Sequence, residues 1–223
     1  MKGERDRSWR LSCQVGNQPA NTERLIGVIA ARQHGVVSSA QLQAAGISKV
    51  AASRRGKAGR LHRIHRGVYA VGHARLGFEG RCVAAVLALG VGTVVSHQSA
   101  AAVWGMLKPN SGPIDVTVPG DGGREKRQGI RVHRSHSLIA GVTTRRNGIA
   151  VTKPGRTLRD LHRTSPQPVF RRALRRALDL RLVSSADVRR EADLTRSELE
   201  RIFLSLCRRH RLPQPEVNAR VGP

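Results

Sequence analysis

The chain has 223 residues, with forty Lys and Arg against fifteen Asp and Glu and a formal net charge of +25. That excess goes beyond what solubility requires and points to a polyanionic partner, although thirty-four of the forty are Arg, spread along the whole length. With 39% hydrophobic residues the chain can bury a core in one or two domains. Cys13, Cys82 and Cys207 are too few and too scattered for a disulfide framework or a zinc site, and the absence of a long apolar run speaks against secretion and membrane insertion, so a reduced cytoplasm is expected.

Residues 1–20 mix charge, Gly and Pro without periodicity and read as a disordered basic tail. Helix one is expected from Asn21 or Thr22, with Leu25, Ile26, Ile29 and Ala30 on one face and Gly35 as its stop. Ser38 or Ser39 then caps helix two, whose Leu42 and Ala45 face inward before Gly46 makes a turn, and Ser48 caps helix three. Gly56, costing on the order of 1 kcal/mol in a helix interior, is expected to end helix three early. From Arg60 to Val71 the apolar Leu61, Ile64, Val68 and Val71 alternate imperfectly with Arg and His around Gly67, the pattern of a β-ribbon with a turn or bulge. Three helices followed by a ribbon is the order of a winged helix-turn-helix, placed here at residues 21–74. Ser48, Lys49, Ser53, Arg54, Arg55 and Lys57 are the candidate DNA contacts of helix three, where Arg pairs bidentately with guanine. Arg60, His62, Arg63, His65 and Arg66 are the candidate phosphate contacts of the ribbon.

Beyond a boundary near residues 72–77 the texture changes, and residues 75–190 read as a mixed α/β domain. Cys82 to Leu89 is an apolar helix, Thr93 to Val95 a short strand, and Ser96 the cap of a helix reaching Trp104. Strands follow at Ile114 to Val118, Ile130 to His133, Val142 to Arg145 and Ile149 to Thr152, the last two joined by Asn147-Gly148, a strong hairpin signal because both central residues of a type I′ turn need positive φ. Pro154 opens a helix with Leu158 and Leu161. Val169 to Leu182 forms another, with Phe170, Ala173, Leu174, Ala177 and Leu178 as its apolar stripe and Arg171, Arg172, Arg175 and Arg176 as an ordinary solvated face. Residues 191–223 hold a final helix, Thr195 to about His210, opened by a capping box from Thr195 to Glu198.

Catalytic and metal patterns are weaker. His62 with His65 and His133 with His136 are three apart, which on regular strands places them on opposite faces, so no metal and no cofactor are expected. Ser96-His97-Gln98-Ser99 lacks a nucleophile elbow and Ser96 is better used as a cap, while Gly120 to Gly123 lacks the Lys-Ser/Thr of a phosphate-binding loop.

The runs QHGVVSSAQLQAAGISK, GRLHRIHRGVYAVG, VVSHQSAAAVWGM, PIDVTVPG, GIRVHRS and GIAVTKPGRTLRDL together resemble the AbiEi-type antitoxin and transcriptional-regulator family over roughly Thr22 to Val188. The resemblance implies an N-terminal winged helix and a mixed α/β effector domain. It implies a repressor that controls its own operon as the antitoxin of an AbiEi/AbiEii-like (type IV) system and neutralises a nucleotidyltransferase-like toxin, direct contact not required. TRSELERIFLSLCRRHRLPQPEVNARVG further resembles the entry to a very-short-patch-repair-like nuclease domain, whose helix would supply Glu198 or Glu200. With the chain stopping at Pro223 the remaining magnesium-binding carboxylates are absent, so a non-enzymatic protein is expected. A departure from relatives is Ala52 and Gly56 in place of bulky aliphatics on helix three.

The expectation is therefore a cytoplasmic protein of mixed α/β (α+β) class that binds double-stranded promoter DNA as a repressor, with a homodimer on inverted repeats. The rivals are a truncated very-short-patch-repair-like endonuclease and a non-specific nucleic-acid-binding protein.

Overall fold

The computed structural model describes residues 18–120, 127–138 and 140–184. The chain divides between Leu76 and Gly77 into two compact units. The first is built from α1 (Gln18–Arg32), β1 (Val36–Ser38), α2 (Ser39–Ala44), α3 (Lys49–Lys57), β2 (Leu61–His65) and β3 (Val68–Val71). Its antiparallel strands lie in the order β1-β3-β2, the topology of a winged helix-turn-helix.

One face of this small sheet carries the core. Val37, Tyr69, Leu61 and Val71 point to it and meet Ile26, Ile29 and Ala30 of α1, Leu42 of α2, Ile47, and Ala51 and Ala52 of α3. Leu25 does not join them: at 45% exposure it faces outward, because Ile26, Ile29 and Ala30 centre the stripe one residue further round the helix. The helix also begins earlier than its Asn21 and Thr22 caps suggest, at Gln18.

Helix α2 has its start fixed by a reciprocal cap. Ser38 Oγ accepts from the Gln41 backbone N–H at 3.2 Å, while Gln41 Oε1 accepts from the Ser38 N–H at 2.9 Å. The same glutamine exchanges two 3.1 Å bonds with Gln33, which locks α2 to the end of α1. Ser38→Ala is expected to lower unfolding stability by about 1 kcal/mol, read as a fall in urea midpoint at unchanged m-value. Helix α3, capped by Ser48 Oγ on the Ala51 N–H at 3.2 Å, passes through Gly56 and stops one residue later. Ala58 provides its C-cap.

The second unit holds α4 (Phe78–Leu89), β4 (Val94–Val95), α5 (His97–Val103), β5 (Ile114–Pro119), β6 (Ile130–Ser135), β7 (Thr143–Arg146), β8 (Ile149–Thr152), α6 (Pro154–Thr164) and α7 (Gln167–Asp179). Its mixed five-stranded sheet runs β6-β5-β4-β8-β7, with β5–β6 and β4–β8 parallel and the other pairs antiparallel. The β7–β8 hairpin turns at Asn147 and Gly148, both at positive φ (48° and 78°), as a type I′ turn demands. Leu158 and Leu161 of α6 and Ala173 and Ala177 of α7 pack with Ala101 and Met106 in a second apolar cluster, with Phe170 and Leu174 at its margin. The protein is thus of mixed α/β class.

Ser96 holds the N-cap position of α5, yet its side chain makes no capping bond; the hydroxyl turns to His97 instead. Cys82 is fully buried on α4, and burial pushes its thiol up to about 12, which keeps it protonated and inert. Cys13, Cys207, the tail at residues 1–17 and the helix expected at Thr195 to His210, with Glu198 and Glu200, lie outside the described residues.

Candidate nucleic-acid interface

Helix α3 turns Ala52 into the core and leaves Lys49, Val50, Ser53, Arg54 and Lys57 exposed. These positions fall at i, i+1, i+4, i+5 and i+8, along one side of the helix. Arg55 stands apart from them. Its Nε and Nη2 donate to Glu23 Oε1 of α1 at 3.0 and 2.8 Å, and Nη1 reaches the Ala51 carbonyl at 3.4 Å, so this guanidinium clasps α3 to α1 rather than standing free for a base edge. The Ser48 hydroxyl is likewise taken, by the helix cap.

The register of the hairpin sorts the remaining residues by face. Residues directly opposite across an antiparallel pair point the same way, so Arg63, opposite Tyr69, shares the helix side of the sheet with Leu61 and Val71. His62, opposite Ala70, points to the other side. A register shift between Arg63 and His65 then places His65 opposite Val68, on the same back face as His62. The expectation that these two histidines point apart is therefore corrected: an irregularity that spacing cannot reveal brings them to one face. Arg66 forms the exposed turn with Gly67, whose φ of +76° suits glycine, and the Gly67 carbonyl accepts from the Ser39 N–H at 2.8 Å, tying the turn to α2. Arg60, between α3 and β2, is exposed and its carbonyl accepts from the Gly72 N–H.

Sequence reasoning passed over Val50. At 69% exposure it is the most exposed large apolar residue among the described residues of the first unit, and it sits amid the donors of α3. Charge is equally one-sided. From Arg24 to Phe78 the chain has ten Lys and Arg and no Asp or Glu. The nearest acid, Glu23, is spent on Arg55.

These helices and strands coincide with a known sequence family. Residues 29–72 match the family model described as transcriptional regulator, AbiEi antitoxin. The AbiEi match runs from the last turn of α1 to the residue after β3, so it covers α2, α3 and the whole hairpin. No curated protein matches the chain significantly. Among the described residues, no helix is long and apolar enough to cross a membrane.

Proposed function

We propose that this protein is a DNA-binding transcriptional repressor whose α3 enters the major groove while Arg60, Arg63 and Arg66 hold adjacent phosphates. The carrying observation is the exposed cationic face of α3 within a segment that matches a transcriptional-regulator family and contains no acid from Arg24 to Phe78. On this reading Arg54, Lys49, Lys57 and Ser53 contact base edges and flanking backbone, and Val50 supplies the apolar surface that fits a thymine methyl, the one apolar group in the groove. His62 and His65 drop out of the phosphate set, and Arg55 acts by holding α3 in place. The AbiEi match supports the finer reading that the operator lies in the protein's own promoter and that the protein is the antitoxin of a type IV pair. Two copies would engage an inverted repeat with half-sites one helical turn apart.

The test is DNA binding by anisotropy on a selected operator and on random duplex across a salt series. Arg54→Ala is expected to weaken operator binding by about 1 to 3 kcal/mol and to relax the preferred base at one position. Arg63→Ala should weaken operator and random duplex alike and flatten the salt slope by about one. Unchanged affinity and slope in both variants would remove α3 and the hairpin from the interface. Equal affinity of the wild-type protein for operator and random duplex would favour non-specific binding instead.

A further inference from the structure

The second unit contains a buried polar cluster that DNA binding does not use. Asp115 and Thr117 of β5 lie in parallel register beside Arg131 and His133 of β6, and Ser135 follows on the same face. The Asp115 carboxylate, 4% exposed, takes hydrogen bonds from His133 Nε2 at 3.0 Å and Arg131 Nη1 at 3.3 Å, while its backbone N–H donates to Ser99 Oγ at 2.8 Å. His97 stacks on His133 with ring centroids 3.6 Å apart, and its Nδ1 lies 2.9 Å from Ser96 Oγ. From α6, Arg156 bonds Asp160 through Nε at 2.8 Å and reaches Ser135 Oγ at 3.2 Å through Nη2. Residues distant in sequence converge here, including the Ser96-His97-Gln98-Ser99 run that sequence reasoning set aside.

Three features go beyond what stability asks of such a network. His97 is held at φ +51°, a region that non-glycine residues seldom occupy and that gathers at binding and catalytic sites. Two buried polar atoms, Thr117 Oγ1 and Asp160 Oδ2, have no hydrogen-bond partner among the described residues, although native interiors satisfy nearly all such groups. Arg131 is 57% exposed and His133 is half-buried, so the cluster reaches solvent along β6, an edge strand of the sheet.

We propose that this cluster binds a small phosphate ester bearing free hydroxyls, the chemistry shared by sugar phosphates and mononucleotides. Arg131 offers its remaining N–H donors to the phosphate, for which a planar guanidinium is well suited, while His133, whose Nε2 donates to Asp115, lines the site beside it. Asp160 Oδ2 accepts from a hydroxyl, and Thr117 Oγ1 exchanges a second bond with the same polyol. A metal ion fits less well, since no group of three His, Cys, Asp or Glu among the described residues is arranged to hold one. Burial lowers His97 to about 4 and keeps it neutral at pH 7, so that ring serves as a stacking platform for His133 and not as a cation. The proposal uses residues of the second unit alone and so stands or falls separately from the DNA-binding reading.

The experiment is a titration of the full chain with ribose 5-phosphate and, in parallel, AMP, following the histidine ring resonances by NMR. Saturable shifts of the His97 and His133 signals are expected, with a dissociation constant at or below about 1 mM, and with ribose or inorganic phosphate at least about tenfold weaker. Tighter binding of AMP identifies a nucleotide site, and tighter binding of ribose 5-phosphate a sugar-phosphate site. Arg131→Ala removes an exposed side chain and Thr117→Val keeps the shape of a strand residue; each should weaken binding at least about fivefold with ring resonances of a folded protein retained. The proposal is overturned if neither ester shifts those rings at about 10 mM, if phosphate alone binds as well as the esters, or if both variants bind like the parent.

Discussion

Replacing Arg156 by methionine is expected to cost about 3 to 5 kcal/mol of unfolding free energy, the largest loss foreseen for a single polar side chain here. Arg156 and Asp160 are an i, i+4 pair on α6 with side chains 10% and 8% exposed and Nε 2.8 Å from Oδ1. The same guanidinium spans to the edge strand, with Nη2 on Ser135 Oγ and Nη1 on Ser137 Oγ and carbonyl at 3.3 and 3.4 Å. Methionine preserves the packing of the stem and removes every one of these donors. What remains is a buried carboxylate whose second oxygen already has no partner among the described residues, and an uncompensated buried charge is far dearer than the net worth of the pair. The double variant Arg156→Met with Asp160→Asn should therefore recover much of the loss, a result that distinguishes a stranded charge from a lost contact. Urea unfolding at pH 7 measures both; a loss below about 1 kcal/mol in the single variant would mean that water screens the pair as it does a surface bridge.

The parts of this protein that announce themselves in the sequence are those whose signal is local. Ser38 and Ser48 cap the helices that they precede, and Asn147-Gly148 makes its hairpin because two successive residues must take positive φ. The stripe at Phe170, Ala173, Leu174 and Ala177 packs as its 3.6 periodicity implies, whereas Leu178, expected in the same stripe, is exposed and stays out of the cluster. Strand β1 went unread: three residues between Gly35 and a serine cap are too few to show alternation, and its partner β3 lies about thirty residues further on. Side-chain direction on the hairpin was hidden for a related reason, since the register shift that turns His65 onto the face of His62 depends on pairing and not on spacing. Arg55 looks like its neighbour Arg54 in sequence, and only the packing of α1 across α3 shows that Glu23 has claimed it. The cluster around His97 was least legible of all. Its members come from β5, β6, α5 and α6, and a Ser-His pair beside a helix start reads as a cap until the sheet brings Asp115 and His133 to it.

Stability should fall on mild acidification more than the carboxylates alone would cause, and His97 is the reason. Burial pushes its imidazole from 6.5 down to about 4; the neighbouring His133 adds to the fall, while the Asp160 and Asp115 carboxylates oppose it. The unfolded chain thus takes up a proton near pH 6.5 that the folded chain refuses until near pH 4. The folded state keeps its full advantage above pH 6.5 and loses it progressively as pH drops through that window. A shift of this size corresponds to about 3 kcal/mol, and screening at the part of the ring near solvent trims the expected loss to about 2 kcal/mol. His97→Asn is the informative variant, because asparagine tolerates the left-handed φ of +51° and offers Ser96 a polar partner but does not titrate. Urea unfolding at pH 7.5 and pH 4.5 should show a difference smaller by about 2 kcal/mol in that variant than in the parent. Equal differences in the two proteins would mean that the ring is charged in the folded state.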